Sequence, residues 1–146
     1  MPTIKLIALT PESEMAIGYR INLTFTRFPV RLGRESHARK SLLDTLLGRP
    51  GKRAPSGVAN NDFYLFDESP VKHISREHLY ILYENGGFQV LDRGSACGTV
   101  VGSRYICSKQ VGQPVTIEDG SVIIFGSLES PMAFQFRVEL EPSKQY

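Results

Sequence analysis

The chain has 146 residues, of which 41% are apolar and 22% are charged, and its formal net charge is +2. This length supports one domain with an ordinary core, and so small a net charge does not by itself favour a nucleic-acid partner. No apolar run approaches the roughly 20 residues of a membrane-spanning helix and the first residues lack a secretory signal, so we expect a cytoplasmic, intracellular protein with no membrane partner.

Short runs rich in β-branched and aromatic residues dominate the chain and predict strands. In chain order these eleven runs are Ile4–Leu9, Ile21–Phe25, Val30–Arg34, Phe63–Phe66, Leu79–Tyr83, Phe88–Leu91, Val100–Val101, Tyr105–Ile106, Val115–Ile117, Val122–Phe125 and Phe134–Leu140. The last run alternates apolar and polar residues with period two, so one of its faces is expected in the core.

Glycine-containing turns separate some of these runs. Asn85-Gly86-Gly87 predicts a hairpin, and Asp119-Gly120 joins two further strands. Many short strands at this spacing indicate an all-β sandwich.

One segment departs from the strand pattern. Residues 36–47 place four leucines on one helical stripe, with Ser36 as a candidate N-cap and Gly48 and Pro50 as stop signals. We therefore predict one helix inserted in a β protein near residues 36–47. Residues 48–61 are rich in glycine, proline and basic residues and predict a flexible loop, and residues 141–146 predict a frayed tail. Residues 1–146 are interpreted as a single domain.

Positive charge is concentrated beside this predicted helix. Between Arg34 and Arg53 six basic residues outnumber two acidic ones, which gives +4 there and leaves −2 for the rest of the chain. Two interpretations of the basic loop around Arg49–Arg53 stay open. It either attracts an acidic or multiply phosphorylated ligand, or it is only a solvated surface.

Three short motifs lie where strand-like runs meet turns. They are Gly33-Arg34, Ser75-Arg76-Glu77-His78 and Gly94-Ser95-Ala96-Cys97-Gly98-Thr99. Together they supply a guanidinium fork that stays charged, hydroxyl groups and a glycine-opened backbone, which are the groups that hold a phosphate. Read singly, Arg34 could instead form a surface salt bridge and Ser75 could cap a turn. The combination favours phosphate recognition.

In their order and spacing, these motifs and strands resemble the forkhead-associated (FHA) domain, a module that binds phosphothreonine peptides. The resemblance covers about residues 30–138 and implies an eleven-stranded β-sandwich of the SMAD/FHA type. It implies that the phosphopeptide is contacted by Arg34, Ser75, Arg76, Ala96 and Cys97. It implies structural roles at the site for Gly33, His78, Gly98 and Thr99. Lys72 and His73 lie in a loop that, by the same resemblance, helps to select residues after the phosphothreonine, although a solvated loop is an equal interpretation.

The third motif departs from the family pattern at two positions. The family commonly has asparagine where Cys97 stands, and its amide holds the main chain of the peptide. A thiol is a poor hydrogen-bond partner by comparison. Ala96 likewise lacks the hydroxyl of some members, so phosphate capture is retained while the grip on the peptide backbone is in question.

No catalytic or metal-binding set is found in the sequence. Ser75, His78 and Asp92 lack the Gly-x-Ser-x-Gly elbow of a serine hydrolase, and residues 48–52 lack the spacing of a phosphate-binding P-loop. The three histidines have no metal-ligand spacing, and two cysteines are too few for a disulfide framework or a cysteine-rich zinc site. We expect neither an enzyme nor a cofactor.

The resemblance therefore implies a signalling adaptor that recognises phosphothreonine on a protein partner, downstream of a Ser/Thr kinase. The alternative is a phosphate-independent interaction or assembly module on the same fold, which Ala96 and Cys97 support. A third reading, nucleic-acid binding through Arg49–Arg53, predicts an affinity that falls steeply with salt.

Overall fold

The computed structural model describes residues 2–35, 59–107 and 112–139. These ranges contain one short helix, α1 (Pro11–Ala16), and eleven strands. The strands are β1 Thr3–Ala8, β2 Leu23–Phe25, β3 Val30–Arg34, β4 Phe63–Leu65, β5 Leu79–Glu84, β6 Gly87–Asp92, β7 Thr99–Val101, β8 Arg104–Ile106, β9 Val115–Ile117, β10 Val122–Phe125 and β11 Ala133–Glu139. Every predicted strand is present, and its ends differ from the prediction by at most two residues.

The strands form two sheets. The six-stranded sheet has the order β2-β1-β11-β10-β7-β8, and the five-stranded sheet has the order β4-β3-β5-β6-β9. Neighbouring strands run antiparallel except for β3 and β4, which pair in parallel. The predicted all-β sandwich is confirmed.

The core lies between the two sheets, and alternation along the strands fills it. In β11, Phe134 and Phe136 are fully buried whereas Arg137 and Glu139 are exposed, as the period-two pattern predicts. Phe136 packs edge-on against Phe88 of the opposite sheet, with ring centroids 5.4 Å apart. Such contacts between aromatic rings join the two sheets.

The two predicted turns differ in what they connect. Asn85 and Gly86, with φ of 53° and 76°, close the β5–β6 hairpin, because a two-residue turn of this hand matches the twist of the strands. Asp119-Gly120 joins β9 to β10, which lie in different sheets, so this turn is a crossing between the layers and not a hairpin.

Helix α1 was not predicted from the sequence. Thr10 caps it by accepting a hydrogen bond from the Ser13 N–H, Pro11 occupies its first turn, and six residues are too few to show a periodic apolar stripe. The predicted helix at residues 36–47, residues 48–58 of the predicted loop and the predicted tail lie outside the described residues. None of the helical structure within the described ranges is long and apolar enough to span a membrane.

The sheet register brings three connections to one end of the sandwich. β3, β4 and β6 end there and β5 and β7 begin there, because Leu79 of β5 pairs with both Leu32 of β3 and Asp92 of β6. The end of β3, the β4–β5 loop (residues 66–78) and the β6–β7 loop (residues 93–98) therefore lie side by side. All three sequence motifs fall in this region.

Candidate functional site

Arg34, the last residue of β3, is anchored along one edge of its guanidinium. Its backbone N–H donates to the Ser75 carbonyl at 2.8 Å, and its Nε donates to the Ile74 carbonyl at 2.8 Å. The two terminal nitrogens contact no acceptor within the described ranges. A planar guanidinium held in this way presents its other edge as a two-pronged donor.

Ser75 lies next to Arg34 and is held on three sides. Its N–H donates to His78 Nδ1 at 3.0 Å, its carbonyl accepts from Arg34, and its Oγ accepts the N–H of Ala96 at 2.8 Å. Because the hydroxyl oxygen already accepts a hydrogen bond, its own hydrogen remains available to donate. Among the described residues this hydroxyl donates to no acceptor, and Ser75 itself is hydrogen-bonded to Arg34.

His78 is fully buried and links the β4–β5 loop to the β6–β7 loop. Because Nδ1 accepts the Ser75 N–H, the ring hydrogen is on Nε2, which donates to the Gly98 carbonyl at 2.8 Å, with Thr99 Oγ1 at 3.1 Å. The ring also meets Phe125 edge-on, with centroids 4.9 Å apart. Burial lowers the pKa of His78 from 6.5 to about 4, so the imidazole is neutral at neutral pH.

Asp92 shapes the β6–β7 loop from the end of β6. Its Oδ1 accepts the N–H groups of Gly94 (2.8 Å) and Ser95 (2.7 Å), and its Oδ2 accepts the hydroxyls of Ser95 (2.6 Å) and Thr99 (2.7 Å). Asp92, Ser95 and Thr99 are all buried. One carboxylate therefore satisfies four donors and closes the loop that carries Ala96 and Cys97.

Cys97 turns its thiol toward the β4–β5 loop. Its Sγ donates to the Lys72 carbonyl at 3.5 Å, and its own carbonyl accepts the Tyr105 hydroxyl at 2.9 Å. The thiol is partly buried and forms no disulfide. At this position the chain has a loop-to-loop contact and no carboxamide.

The other predicted contact residues surround this group. Ala96 and Arg76 are exposed, and so is Lys72, whereas His73 is partly buried and is tied down by its backbone. The structure therefore brings Arg76, Ala96, Cys97, Lys72 and His73 together around Arg34 and Ser75.

Two glycines permit the close approach of these loops. A Cβ at Gly33 would lie 2.0 Å from the Arg76 carbonyl oxygen, so the β4–β5 loop can rest on β3 only without a side chain there. Gly98 has φ of 81°, and a Cβ on it would lie 2.5 Å from the Ile106 carbonyl oxygen. Both positions require glycine.

The sequence interpretation missed Asp67, which orders the β4–β5 loop. Its Oδ2 accepts the N–H groups of His73 (2.8 Å) and Ile74 (3.0 Å), and its Oδ1 accepts the N–H of Ser69 (3.0 Å). Burial acts to raise the pKa of this carboxyl, but the hydrogen bonds outweigh it and hold the pKa below its usual value. Asp67 thereby fixes the backbone N–H of Ile74, the residue whose carbonyl holds Arg34.

The sequence interpretation also gave no structural role to Asp92, Asn61 and Arg93. An aspartate just before a Gly-Ser pair is typical of a side-chain-capped turn, so Asp92 could have been found. Asn61 and Arg93 bind each other across 32 positions of the chain, and no local pattern signals such a pair. Asn61 also donates a hydrogen bond to the Arg76 carbonyl, directly after Ser75.

Comparison with known proteins identifies the group to which this arrangement belongs. A family model of the FHA domain matches residues 45–126, more than half of the chain. The chain belongs to the FHA family. No curated protein matches this FHA domain by sequence.

Solved FHA domains share the fold. The FHA domain of an Arabidopsis thaliana hypothetical protein aligns with a TM-score of 0.57 and 21% identity over 99% of this chain and 92% of that one. The kinase-interacting FHA domain of the Arabidopsis kinase-associated protein phosphatase gives 0.57 and 18% identity, covering 97% and 96%. Mycobacterium tuberculosis EmbR, in complex with a low-affinity phosphopeptide, gives 0.53 and 17%, covering 97% of this chain and 26% of EmbR. At these identities the likeness establishes the fold.

Proposed function

We propose that this FHA domain is a non-enzymatic adaptor that binds phosphothreonine on a protein partner. The observation that carries the proposal is the pairing of the Arg34 guanidinium edge with the Ser75 hydroxyl hydrogen, neither of which meets an acceptor among the described residues. Phosphorylation adds about −1.5 to −2 charge and three acceptor oxygens, so donors fixed in this way separate phosphorylated from bare threonine.

The relatives support a phosphopeptide ligand. EmbR, which shares the fold, is seen in complex with a phosphopeptide, and the Arabidopsis phosphatase domain is described as kinase-interacting. The domain is also proposed to prefer threonine over serine through a contact to the γ-methyl group, as the family resemblance implies. The proposal also implies signalling inside the cell, downstream of a Ser/Thr kinase.

The test compares wild type with Arg34→Ala and Arg34→Lys by isothermal titration calorimetry. The ligand is a phosphothreonine peptide chosen from a degenerate library, beside its unphosphorylated and phosphoserine forms. We expect Arg34→Ala to weaken phosphopeptide binding by roughly 30-fold or more, since charge-assisted hydrogen bonds contribute about 1.5–3 kcal/mol each. Arg34→Lys keeps the charge but loses the fork and should recover only part of the affinity.

Arg137→Ala is the matched control, because it removes one arginine of β11 whose exposed side chain pairs with Asp119 of the β9–β10 turn. It should bind the phosphopeptide like wild type. Equal affinity of wild type for the phosphorylated and bare peptides, or an unaltered affinity in Arg34→Ala, rejects the phosphate proposal.

A phosphate-independent interaction or assembly module is the second candidate. It is favoured by one observation: the Cys97 thiol faces the Lys72 carbonyl, in the place where the family resemblance implies a carboxamide that grips the peptide. In that case a partner captured from a lysate by wild type should also be captured by Arg34→Ala. Loss of every partner in Arg34→Ala would exclude this candidate.

A further inference from the structure

A second polar cluster, formed by Asn61 and Arg93, binds the main chain of the turn made by Ser75, Arg76 and Glu77. The Arg76 carbonyl accepts Asn61 Nδ2 at 2.7 Å, and Asn61 Oδ1 accepts Arg93 Nη1 at 2.6 Å. Arg93 Nη2 donates to the Asn60 carbonyl at 3.0 Å and lies 3.6 Å from Glu77 Oε2. The Arg93 and Asn61 side chains form a relay of hydrogen bonds that ends on the Arg76 carbonyl, directly after Ser75.

The chemistry of this relay leaves one orientation for Asn61. An arginine only donates hydrogen bonds, so the carboxamide must turn its oxygen to Arg93 and its NH₂ group to the Arg76 carbonyl. Donation from a charged guanidinium also polarises the amide and strengthens its own donation. Asn61 therefore transmits the position of Arg93 to the turn.

The Arg93 side chain is buried at the start of this relay. Its side chain is 7% exposed, its guanidinium lies 4.6 Å from the centroid of the Tyr80 ring, and its buried Nε has no acceptor in the part of the chain that the structure describes. Placing a cation there costs desolvation that a merely solvated arginine avoids. Burial of this kind is consistent with a holding role rather than with ligand contact.

The relay acts on a main-chain segment that has little other freedom. Gly33 lets the Arg76 carbonyl approach β3, and a Cβ at Gly33 would also lie 2.7 Å from Asn61 Nδ2. Ser75 also accepts two hydrogen bonds: its carbonyl accepts the Arg34 N–H, and its Oγ accepts the Ala96 N–H. A shift of the Arg76 carbonyl would therefore displace the Ser75 hydroxyl and the exposed Arg76 side chain together.

We propose that Asn61 and Arg93 are positioning residues for phosphate recognition, which hold the Ser75-Arg76 turn so that its donors converge with Arg34. This inference rests on the proposed phosphopeptide function. It extends that function to two residues outside the three motifs, one of which carries a buried charge.

Asn61→Asp tests the relay with little change in shape. The new carboxylate keeps Arg93 as a partner, but it turns an oxygen toward the Arg76 carbonyl in place of a donor. We expect the affinity for the phosphothreonine peptide to fall about tenfold, as loss of one hydrogen bond plus a repulsive contact implies. Asn22→Asp, the same exchange on the exposed edge beside Thr24, is the control and should not alter the affinity.

Two readouts separate positioning from a general loss of structure. The pKa of the bound phosphate, followed by phosphorus NMR of the peptide complex, should move toward its free value in Asn61→Asp. In a Ser75→Ala background, Asn61→Asp should weaken binding by a smaller factor than it does in wild type, because one of the groups that it positions, the Ser75 hydroxyl, is already gone. Arg93→Lys, which loses the planar guanidinium, should also weaken phosphopeptide binding. It replaces Asn61→Asp as the test variant if Asn61→Asp does not fold.

The outcomes distinguish this inference from the proposed function. If wild type binds the phosphopeptide, Arg34→Ala weakens binding by roughly 30-fold or more and Asn61→Asp binds within about twofold of wild type, only the relay is rejected. Equal losses from Asn61→Asp in the wild-type and Ser75→Ala backgrounds also reject it. If wild type binds no phosphothreonine peptide, both proposals fail.

Discussion

Cys97 is one of two positions, with Ala96, at which this chain departs from the pattern that the family resemblance implies, and its contact indicates an effect of that departure. The thiol donates to the Lys72 carbonyl at 3.5 Å, a weak hydrogen bond between two loops of the site. A carboxamide in its place could make that contact and still offer a second polar atom to a bound peptide. Wild type would then hold the phosphate well and the peptide main chain poorly.

Cys97→Asn should strengthen phosphothreonine-peptide binding. We expect a gain of roughly threefold to tenfold, because one neutral hydrogen bond contributes about 0.5–1.5 kcal/mol. Calorimetry with the selected peptide measures the change, and Cys97→Ser, whose hydroxyl is shorter than a carboxamide, is the control. Unchanged or weaker binding in Cys97→Asn would mean that the peptide backbone is held in another way.

At the scale of elements, the site depends on loops that are closed by buried carboxylates. Asp67 accepts three N–H groups in the β4–β5 loop, and Asp92 accepts four donors in the β6–β7 loop. Such loops are ordered by side chains rather than by ladder hydrogen bonds. The donors that face the proposed ligand are thereby fixed before it binds.

Asp92→Ala should destabilise the domain by about 3–5 kcal/mol, since it leaves buried N–H and hydroxyl groups of the β6–β7 loop without an acceptor. Asp92→Asn should cost less, because the hydroxyls of Ser95 and Thr99 can accept from its NH₂ group. Urea unfolding measures both. Asp119→Ala removes an exposed carboxylate and is the comparison; a cost for Asp92→Ala no larger than for Asp119→Ala would contradict the role of Asp92.

At the scale of the whole molecule, His78 couples the site to the stability of the sandwich. Its ring is buried beside Phe125 and bonded to both loops, and that environment suits only the neutral imidazole. Below its ordinary pKa of 6.5 the unfolded chain takes up a proton at this ring, whereas the folded chain does so only near pH 4. Protonation therefore favours unfolding in that interval.

The free energy of unfolding should fall as the pH is lowered from 6.5 to 4, with about 3 kcal/mol of the loss due to His78, at 1.36 kcal/mol per pKa unit. Below pH 4 this group contributes no further loss. Urea unfolding at a series of pH values measures the decline, and His73→Gln should retain it. The His78 ring resonances in NMR give the direct check, and a midpoint near 6.5 would contradict the prediction.

Much of the fold could be predicted because its signals are local. Alternating residues mark β11, Asn85-Gly86 marks the β5–β6 turn, and all eleven strands follow from short apolar runs. Helix α1 was missed because six residues show no period. The motif residues were found because the family pattern names them.

The sequence by itself determined the strands, the sandwich class and the family, since each depends on residues that are close along the chain or on motifs of fixed order. Only the tertiary structure decided which atoms serve the site. It showed that Arg34 is anchored by the Ile74 carbonyl, that His78 carries its hydrogen on Nε2, and that Asn61 and Arg93 meet behind Ser75. These hydrogen bonds join residues 15 to 40 positions apart and depend on the sheet register and on burial. A local sequence pattern predicts neither the register nor the burial of such pairs.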